Sequence, residues 1–202
     1  MVTIKNKISR SIIDHLRSQK EKILSKEEII ALFKKYSLIY HIKINTLSLW
    51  TYFRKDHYIK RILGDYYYVY SLEERYHHSC HFSDEELVFL VLDKMNIKWY
   101  LGLESALKKN KITWQALKVL IIINTYFSGI KKLGNSTFKF IKTKEKRFKL
   151  GLIKGRTTTT VTFFYSDLEK TYLDILYFYK GKNIEIMKKN IDFEVKKNKI
   201  KI

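Results

Sequence analysis

Several groups of residues in this 202-residue chain have types and spacing that could do chemistry. His77, His78, Cys80 and His81 form the one metal-like cluster. Four ligands packed so closely in sequence cannot easily surround a tetrahedral ion, because structural zinc sites use two separated pairs. No second pair completes the set, so a polar linker is the preferred reading, and neither metal nor cofactor is expected. Glu194-Val195-Lys196, with Asp174 or Asp192 upstream, has the make-up of a nuclease site in which carboxylates hold Mg²⁺ beside a lysine. A Lys-rich tail also produces that tripeptide by chance. Asp167 and Glu169 fall in the first turn of an expected helix, where the helix dipole alone accounts for acids. Asp174 lies five residues beyond Glu169, about 140° around that helix, so the two do not share a face. The chain has no Walker A loop, no Gly-x-Ser-x-Gly elbow and no His-Glu-x-x-His pair, and an enzyme is not expected.

Two further groups suit binding rather than catalysis. In the first half, Thr46, Ser48, Thr51, Tyr52 and Lys55 would lie on the outward side of a helix begun at Asn45. Hydroxyls, an aromatic ring and a base suit phosphates and thymine methyls, and an outward Arg54 could make a bidentate guanine contact. Lys60 and Arg61 follow on a hairpin, where they could reach phosphates or the minor groove. In the second half, Lys131, Lys132, Lys139, Lys142, Lys144, Lys146, Arg147, Lys149, Lys154 and Arg156 are opposed within their stretch only by Glu145. Lys139 alternates with Phe138 and Phe140, so a strand there would bury aromatics on one face and present ammonium groups on the other. A solvated sheet face is the alternative reading.

The elements that must position these residues are marked by periodicity and caps. Ile4, Ile8, Ile12 and Leu16, with Ile13 alongside, form one apolar helix face. Ile29, Ile30, Phe33 and Tyr36 mark a second helix, and Leu49, Trp50 and Phe53 the inward side of a third. Residues 58–63 and 66–70 read as strands joined by Gly64-Asp65, a Gly-first pair that favours a II′ turn. Ser-x-x-Glu capping boxes stand at Ser25/Glu28, Ser71/Glu74, Ser83/Glu86 and Ser166/Glu169. Three helices and then a hairpin is the order of a winged helix-turn-helix, whose third helix enters the major groove. The same module also serves as a protein-docking unit. A polar, His-rich connection over 71–82 places the domain boundary there, giving a first domain over 1–78 and a second over 83–202.

The second domain reads as mixed α+β. Helices begin at Ser83 and near Leu103. Strands are expected over 116–126, 137–143, 148–153 and 157–165, in a mainly antiparallel sheet. A helix from Ser166 should bury Leu168, Tyr172, Ile175, Leu176 and Tyr179, with Leu173 also core-like, and a basic tail follows from Lys188.

Two segments of this half resemble the AbiEi-family antitoxins of type IV toxin–antitoxin operons, over about residues 99–181. Tyr100-Leu101-Gly102-Leu103-Glu104-Ser105-Ala106-Leu107 is similar to a family Tyr-Leu-Ser-Leu-Glu-Ser-Ala-Leu segment, with Gly102 for Ser. Asp167-Leu168-Glu169-Lys170-Thr171-Tyr172-Leu173-Asp174-Ile175 is similar to a family Asp-Pro-Glu-Lys-Ala-Leu-Leu-Asp-Leu helix, with Leu168 for Pro. A preceding winged helix is the family arrangement, although the family's wing is often Arg-rich and this one offers Lys60 and Arg61. The resemblance implies a first domain that binds repeats in its own promoter and represses the operon. It implies a second that counters a nucleotidyltransferase-like toxin without a stable complex. Matched residues such as Ser105, Ala106, Leu107, Leu173 and Leu176 then read as structural, and toxin or nucleic acid would meet the ten basic residues.

The charge is consistent with a polyanionic partner: 40 Lys and Arg against 20 Asp and Glu give +20. The 108–202 half holds 23 basic and 7 acidic residues, against 17 and 13 in 1–107. Drift in a Lys-rich proteome would tend to raise Glu with Lys, which has not happened. A nucleic-acid binder without sequence preference is the alternative that charge alone supports. One cysteine, no signal-peptide pattern and no long apolar run suggest a cytoplasmic protein without membrane contact.

Overall fold

A computed structural model describes residues 4–41, 43, 45–113 and 117–179, and the side chains from Ile8 onward. They form two compact units, one within 1–94 and one within 95–202. The architecture is mixed α+β, with a three-stranded antiparallel sheet in the first unit and a six-stranded mixed sheet in the second.

The first unit runs α1 (Ile4–Ser18), β1 (Ile23–Ser25), α2 (Lys26–Ile39), α3 (Thr46–Lys55), β2 (Ile59–Leu63), β3 (Tyr66–Val69), α4 (Leu72–Tyr76) and α5 (Asp84–Lys94). The apolar faces read from the sequence meet in one core: Ile8, Ile12, Ile13 and Leu16 of α1, Ile29 and Phe33 of α2, Leu49 and Phe53 of α3, with Tyr36 and Trp50 partly buried against it and Ile30 half-buried; Leu32, which the pattern did not mark, completes the α2 face. Phe33 and Phe53 pack edge to face with ring centroids 5.2 Å apart. The side chain of Ile4 lies outside the described residues.

Strand β1 is short and has no alternating pattern of its own. It is recruited by β3, with Leu24 opposite Tyr67, giving the order β1-β3-β2. The β2–β3 hairpin closes through Gly64-Asp65, where Gly64 has φ +55 and Asp65 is not in the left-handed region, as a Gly-first turn requires.

Three of the four capping boxes form. Ser25 and Glu28 exchange bonds of 3.1 and 2.6 Å, Ser71 and Glu74 bonds of 3.1 and 2.8 Å, and Ser83 and Glu86 bonds of 3.3 and 2.8 Å. Glu74 does more than cap, accepting also from the Tyr68 hydroxyl and the His81 amide at 2.6 Å each. Helix α5 belongs with the first unit, since it packs on β1 and β2. Its ends are tied there by Lys60–Asp84 at 3.1 Å and by Lys94 to Glu21 and Glu28 at 2.6 and 3.0 Å. The segment 71–82 is therefore a connection inside the first unit.

The second unit runs β4 (Trp99–Leu101), α6 (Glu104–Lys109), β5 (Val119–Asn124), β6 (Gly129–Leu133), β7 (Ser136–Lys142), a 3₁₀ turn (Glu145–Phe148), β8 (Leu152–Arg156), β9 (Thr162–Ser166) and α7 (Leu168–Tyr179). The sheet order is β6-β7-β5-β4-β9-β8. The β4–β9 and β5–β7 pairs are parallel, so the sheet is mixed rather than mainly antiparallel. One face, bearing Tyr100, Ile121 and Ile123, packs with Leu103, Leu107 and Ile175 of the α6 and α7 region. The box expected at Ser166 does not form. Ser166 is buried at the end of β9 against the Thr171 hydroxyl at 2.7 Å, and Asp167 caps α7 by accepting from the Lys170 amide at 2.8 Å.

Helix α7 also turns differently from its apolar pattern. Thr171, Asp174 and Ile175 are buried, while Leu173 and Leu176 are 64% and 52% exposed. The cause is electrostatic: Asp174 has partners only on the inner side, and a helix can point only one arc inward.

A Cβ on Gly102 would stand 2.4 Å from Cδ1 of the fully buried Ile123. Gly102→Ser should therefore lower stability by about 1–3 kcal/mol in urea denaturation, and unchanged stability would contradict this packing. Burial pushes the Glu74 carboxyl up, but bonds from Tyr68, His81 and Ser71 outweigh it and hold the carboxyl below its ordinary 4.5. Its stabilisation is therefore present above pH 4.5 and is lost as pH falls through the lowered value. Glu74→Gln should flatten the acid limb of the stability–pH curve, and superimposable limbs would count against the assignment.

Candidate nucleic-acid interface

Helix α3 starts because the Asn45 carboxamide accepts from the Ser48 amide at 3.1 Å, and it is held by Leu49 and Phe53 in the core. On a 100° wheel, Leu47, Ser48, Thr51, Tyr52, Arg54 and Lys55 fall within an arc of about 160°, and all six are exposed. Thr46 falls outside that arc, on the Leu49–Phe53 side, and is half-buried. The Thr51 hydroxyl donates to Leu47 O at 2.9 Å, which leaves its oxygen free to accept. Tyr52 pairs with the Tyr58 hydroxyl at 3.4 Å, and this bond with burial pushes its phenol up to about 12, so it stays a neutral donor or acceptor. Lys34 and Lys35 on α2 and Lys43 before α3 are further exposed cations of the first unit.

The hairpin residues differ. Lys60 is half-buried and committed to Asp84 at 3.1 Å, so contact with a phosphate would have to break that pair. Arg61 is exposed; its Nε donates to Gly64 O at 2.6 Å and its Nη2 lies 3.5 Å from Asp65. A surface pair of that kind holds by about 0–1 kcal/mol, so Arg61 can exchange it for another anion.

The ten basic residues of the second half do not form one face. Lys131 and Lys132 lie on β6 and Lys139 and Lys142 on β7, at one edge of the sheet. Lys154 and Arg156 lie on β8 at the opposite edge, roughly 24 Å away at ordinary strand spacing. Phe138 and Phe140 are buried as expected. Lys131 is paired with Phe138 and leaves on its face, whereas Lys132 and Lys139 leave on the other, beside Ile121 and Ile141. Lys144, Lys146, Arg147 and Lys149 surround the 3₁₀ turn.

Arg147 is not a free surface cation. Its Nη1 lies 3.1 Å from Oδ1 of Asp174, a carboxylate only 1% exposed. Lys170 stands 3.4 Å from Oδ2, and the Tyr100 hydroxyl donates to Oδ2 at 2.7 Å. Burial and the neighbouring carboxylate push the Tyr100 phenol above its ordinary range, keeping it a donor. The Arg147 guanidinium lies over the Tyr177 ring at 3.4 Å. Thus Tyr100 of the first family-like segment and Asp174 of the second are in direct contact, joined further by the Tyr179 hydroxyl donating to Glu104 at 2.8 Å. From sequence Asp174 reads only as a carboxylate of a nuclease-like set or a partner of Glu169, neither of which it contacts among the described residues; its spacing from Lys170 and Thr171 on one helix face was the available signal.

Glu194, Lys196, Asp192 and the tail from Lys188 lie outside the described residues. Among the described residues no three His, Cys, Asp or Glu side chains gather as metal ligands. His77, His78 and His81 are exposed, and Cys80 is a half-buried free thiol. No described helix is long and apolar enough to cross a membrane. Comparison with protein-family models and with curated proteins gives no match for the chain.

Removing the buried anion strands Tyr100, Arg147 and Lys170 together. Asp174→Ala should cost roughly 3–5 kcal/mol in chemical denaturation, and a loss below about 1 kcal/mol would contradict a structural role for this network.

Proposed function

We propose that the chain is a DNA-binding transcriptional repressor and antitoxin of the AbiEi type. Its first unit acts as a winged helix-turn-helix with α3 in the major groove. The observation that carries the DNA-binding half is α3 itself: an exposed arc of hydroxyls and bases on a helix fixed to the core by its other side. The order α1-β1-α2-α3-β2-β3 with sheet order β1-β3-β2 supports the winged-helix reading. Arg54 and Lys55 are the contacts of choice for base edges and phosphates, with Ser48 and Thr51 beside them. The antitoxin half rests on the two family-like segments, which meet through Tyr100 and Asp174. The partners on this reading are double-stranded promoter DNA and, functionally, a nucleotidyltransferase-like toxin.

A second reading, a regulator that binds nucleic acid without sequence preference, is favoured by one observation. The basic residues of the second unit are spread to opposite sheet edges rather than gathered into one complementary face.

Fluorescence anisotropy of the full chain with duplexes from upstream of its own gene separates the two. The repressor reading expects promoter DNA to bind at least tenfold tighter than random duplex at physiological salt. Arg54→Ala with Lys55→Ala should weaken promoter binding by tenfold or more and lower the salt slope by about one to two. Lys60→Ala should change it less. Equal affinity for promoter and random duplex would overturn the repressor reading in favour of the second.

A further inference from the structure

We propose that Leu47 reads a thymine of the operator by packing on its C5 methyl in the major groove, which makes Leu47 a specificity-determining residue of α3. The inference rests on the repressor reading and adds to it a base and an apolar contact that this reading does not contain. Leu47 is the second residue of α3 and is 73% exposed. The core takes Leu49 and Phe53 from the same helix and leaves Leu47 out.

A single exposed leucine is ordinary on a protein surface; this one is set apart by its place. Leu47, Thr51 and Arg54 fall within about 60° of one another around the helix, so they form one ridge with a side chain at each turn. All three are exposed. Leu47 stands at the N-terminal end, the part of a recognition helix that meets base edges. That end is fixed: the Asn45 carboxamide accepts from the Ser48 amide and the Asn45 carbonyl from the Leu49 amide, each at 3.1 Å. The helix contains no carboxylate, so the side that bears Arg54 and Lys55 is complementary to a polyanion along its whole length.

The two ends of the ridge differ in chemistry. In the middle, the Thr51 hydroxyl donates to Leu47 O at 2.9 Å, so its hydrogen is spent inside the helix. At one end Arg54 carries donors that suit guanine O6 and N7. At the other, the Leu47 side chain carries neither donor nor acceptor. Set against N7, O6 or an exocyclic amino group, it would leave that group without a partner, which costs affinity. Thymine alone of the four bases presents a methyl group in the major groove, and burying it against Leu47 is favourable. Arg54 is seven positions on from Leu47, a rise of roughly 10 Å, or about three base-pair steps. The preferred site therefore holds a thymine roughly three base pairs from a guanine.

Thymine and uracil pair alike with adenine and differ by this methyl. The test therefore uses the full chain and promoter duplexes in which thymines are replaced singly by deoxyuridine, read by anisotropy at physiological salt. The wild-type chain should lose about three- to tenfold in affinity at the thymine under Leu47 and less at the others. Leu47→Ala should bind the unmodified promoter about three- to tenfold more weakly and should bind its thymine and uracil forms alike. Leu47→Met should keep most of the discrimination. Leu38→Ala, which removes a similarly exposed side chain from α2, serves as the control and should discriminate as wild type does. A promoter preferred over random duplex, yet bound by Leu47→Ala with the wild-type thymine-to-uracil ratio, would overturn this inference and leave the repressor reading standing. So would a change of assembly state in Leu47→Ala with that ratio unchanged, which would assign the side chain to a contact between copies of the chain. No preference for promoter over random duplex would overturn both.

Discussion

A carboxylate in a protein interior must be compensated or the fold around it fails, and Asp174 imposes that constraint on the second unit. Its partners come from three places: Tyr100 on β4, Arg147 in the 3₁₀ turn and Lys170 on α7 itself. Satisfying one side chain therefore fixes the angle of α7 against the central strands. It also fixes the path of the chain between β7 and β8. The inward turn of Asp174 is what exposes Leu173 and Leu176, and it carries Arg147 to the back of Tyr177. A charge chosen for burial thus shapes the surface within one turn of it.

The first unit solves a different problem with less cost. Its core is apolar, and its carboxylates sit at helix starts and rims. Glu74 collects a hydroxyl and two amides where β3 gives way to α4, fixing the course of the chain toward α5. Lys60 and Lys94 are spent on holding α5. Arg75 donates to Asp56 O and lies over the Tyr58 ring at 3.9 Å, bracing the end of α3. Arg54 and Lys55, exposed on the outer arc of α3, take no part in these ties, and under the proposed function they are the cations that meet DNA.

Much of this architecture was legible in the sequence where a local rule decides. The α1, α2 and α3 faces, the Gly64-Asp65 turn and three of the capping boxes depend on neighbours a few residues apart. Strands β1, β4 and β6 were not legible, because each is short and is defined by the partner that recruits it. The fourth box failed because Ser166 was needed inside, against Thr171, while Asp167 was free to cap. Leu173 and Leu176 were misread as core for a related reason: apolarity predicts burial only until a buried charge claims the inner arc. The basic stretch was read as one surface because sequence places its residues together, whereas the strand order carries β6 and β8 to opposite edges. The site residues of α3 were legible in part; nothing short of three dimensions shows that Lys60 is already paired.

Under the proposed function the first unit would read promoter DNA and the second would relieve toxicity, and the second role would distinguish the protein from a plain regulator. It is tested most directly by co-expressing the full chain with the adjacent open reading frame and scoring growth. The account predicts that the neighbour alone arrests growth. Arrest should be relieved by the wild-type chain, and equally by a chain carrying Arg54→Ala and Lys55→Ala, whose second unit is untouched. An adjacent product that is harmless, or an arrest that the wild-type chain does not relieve, would contradict the antitoxin claim.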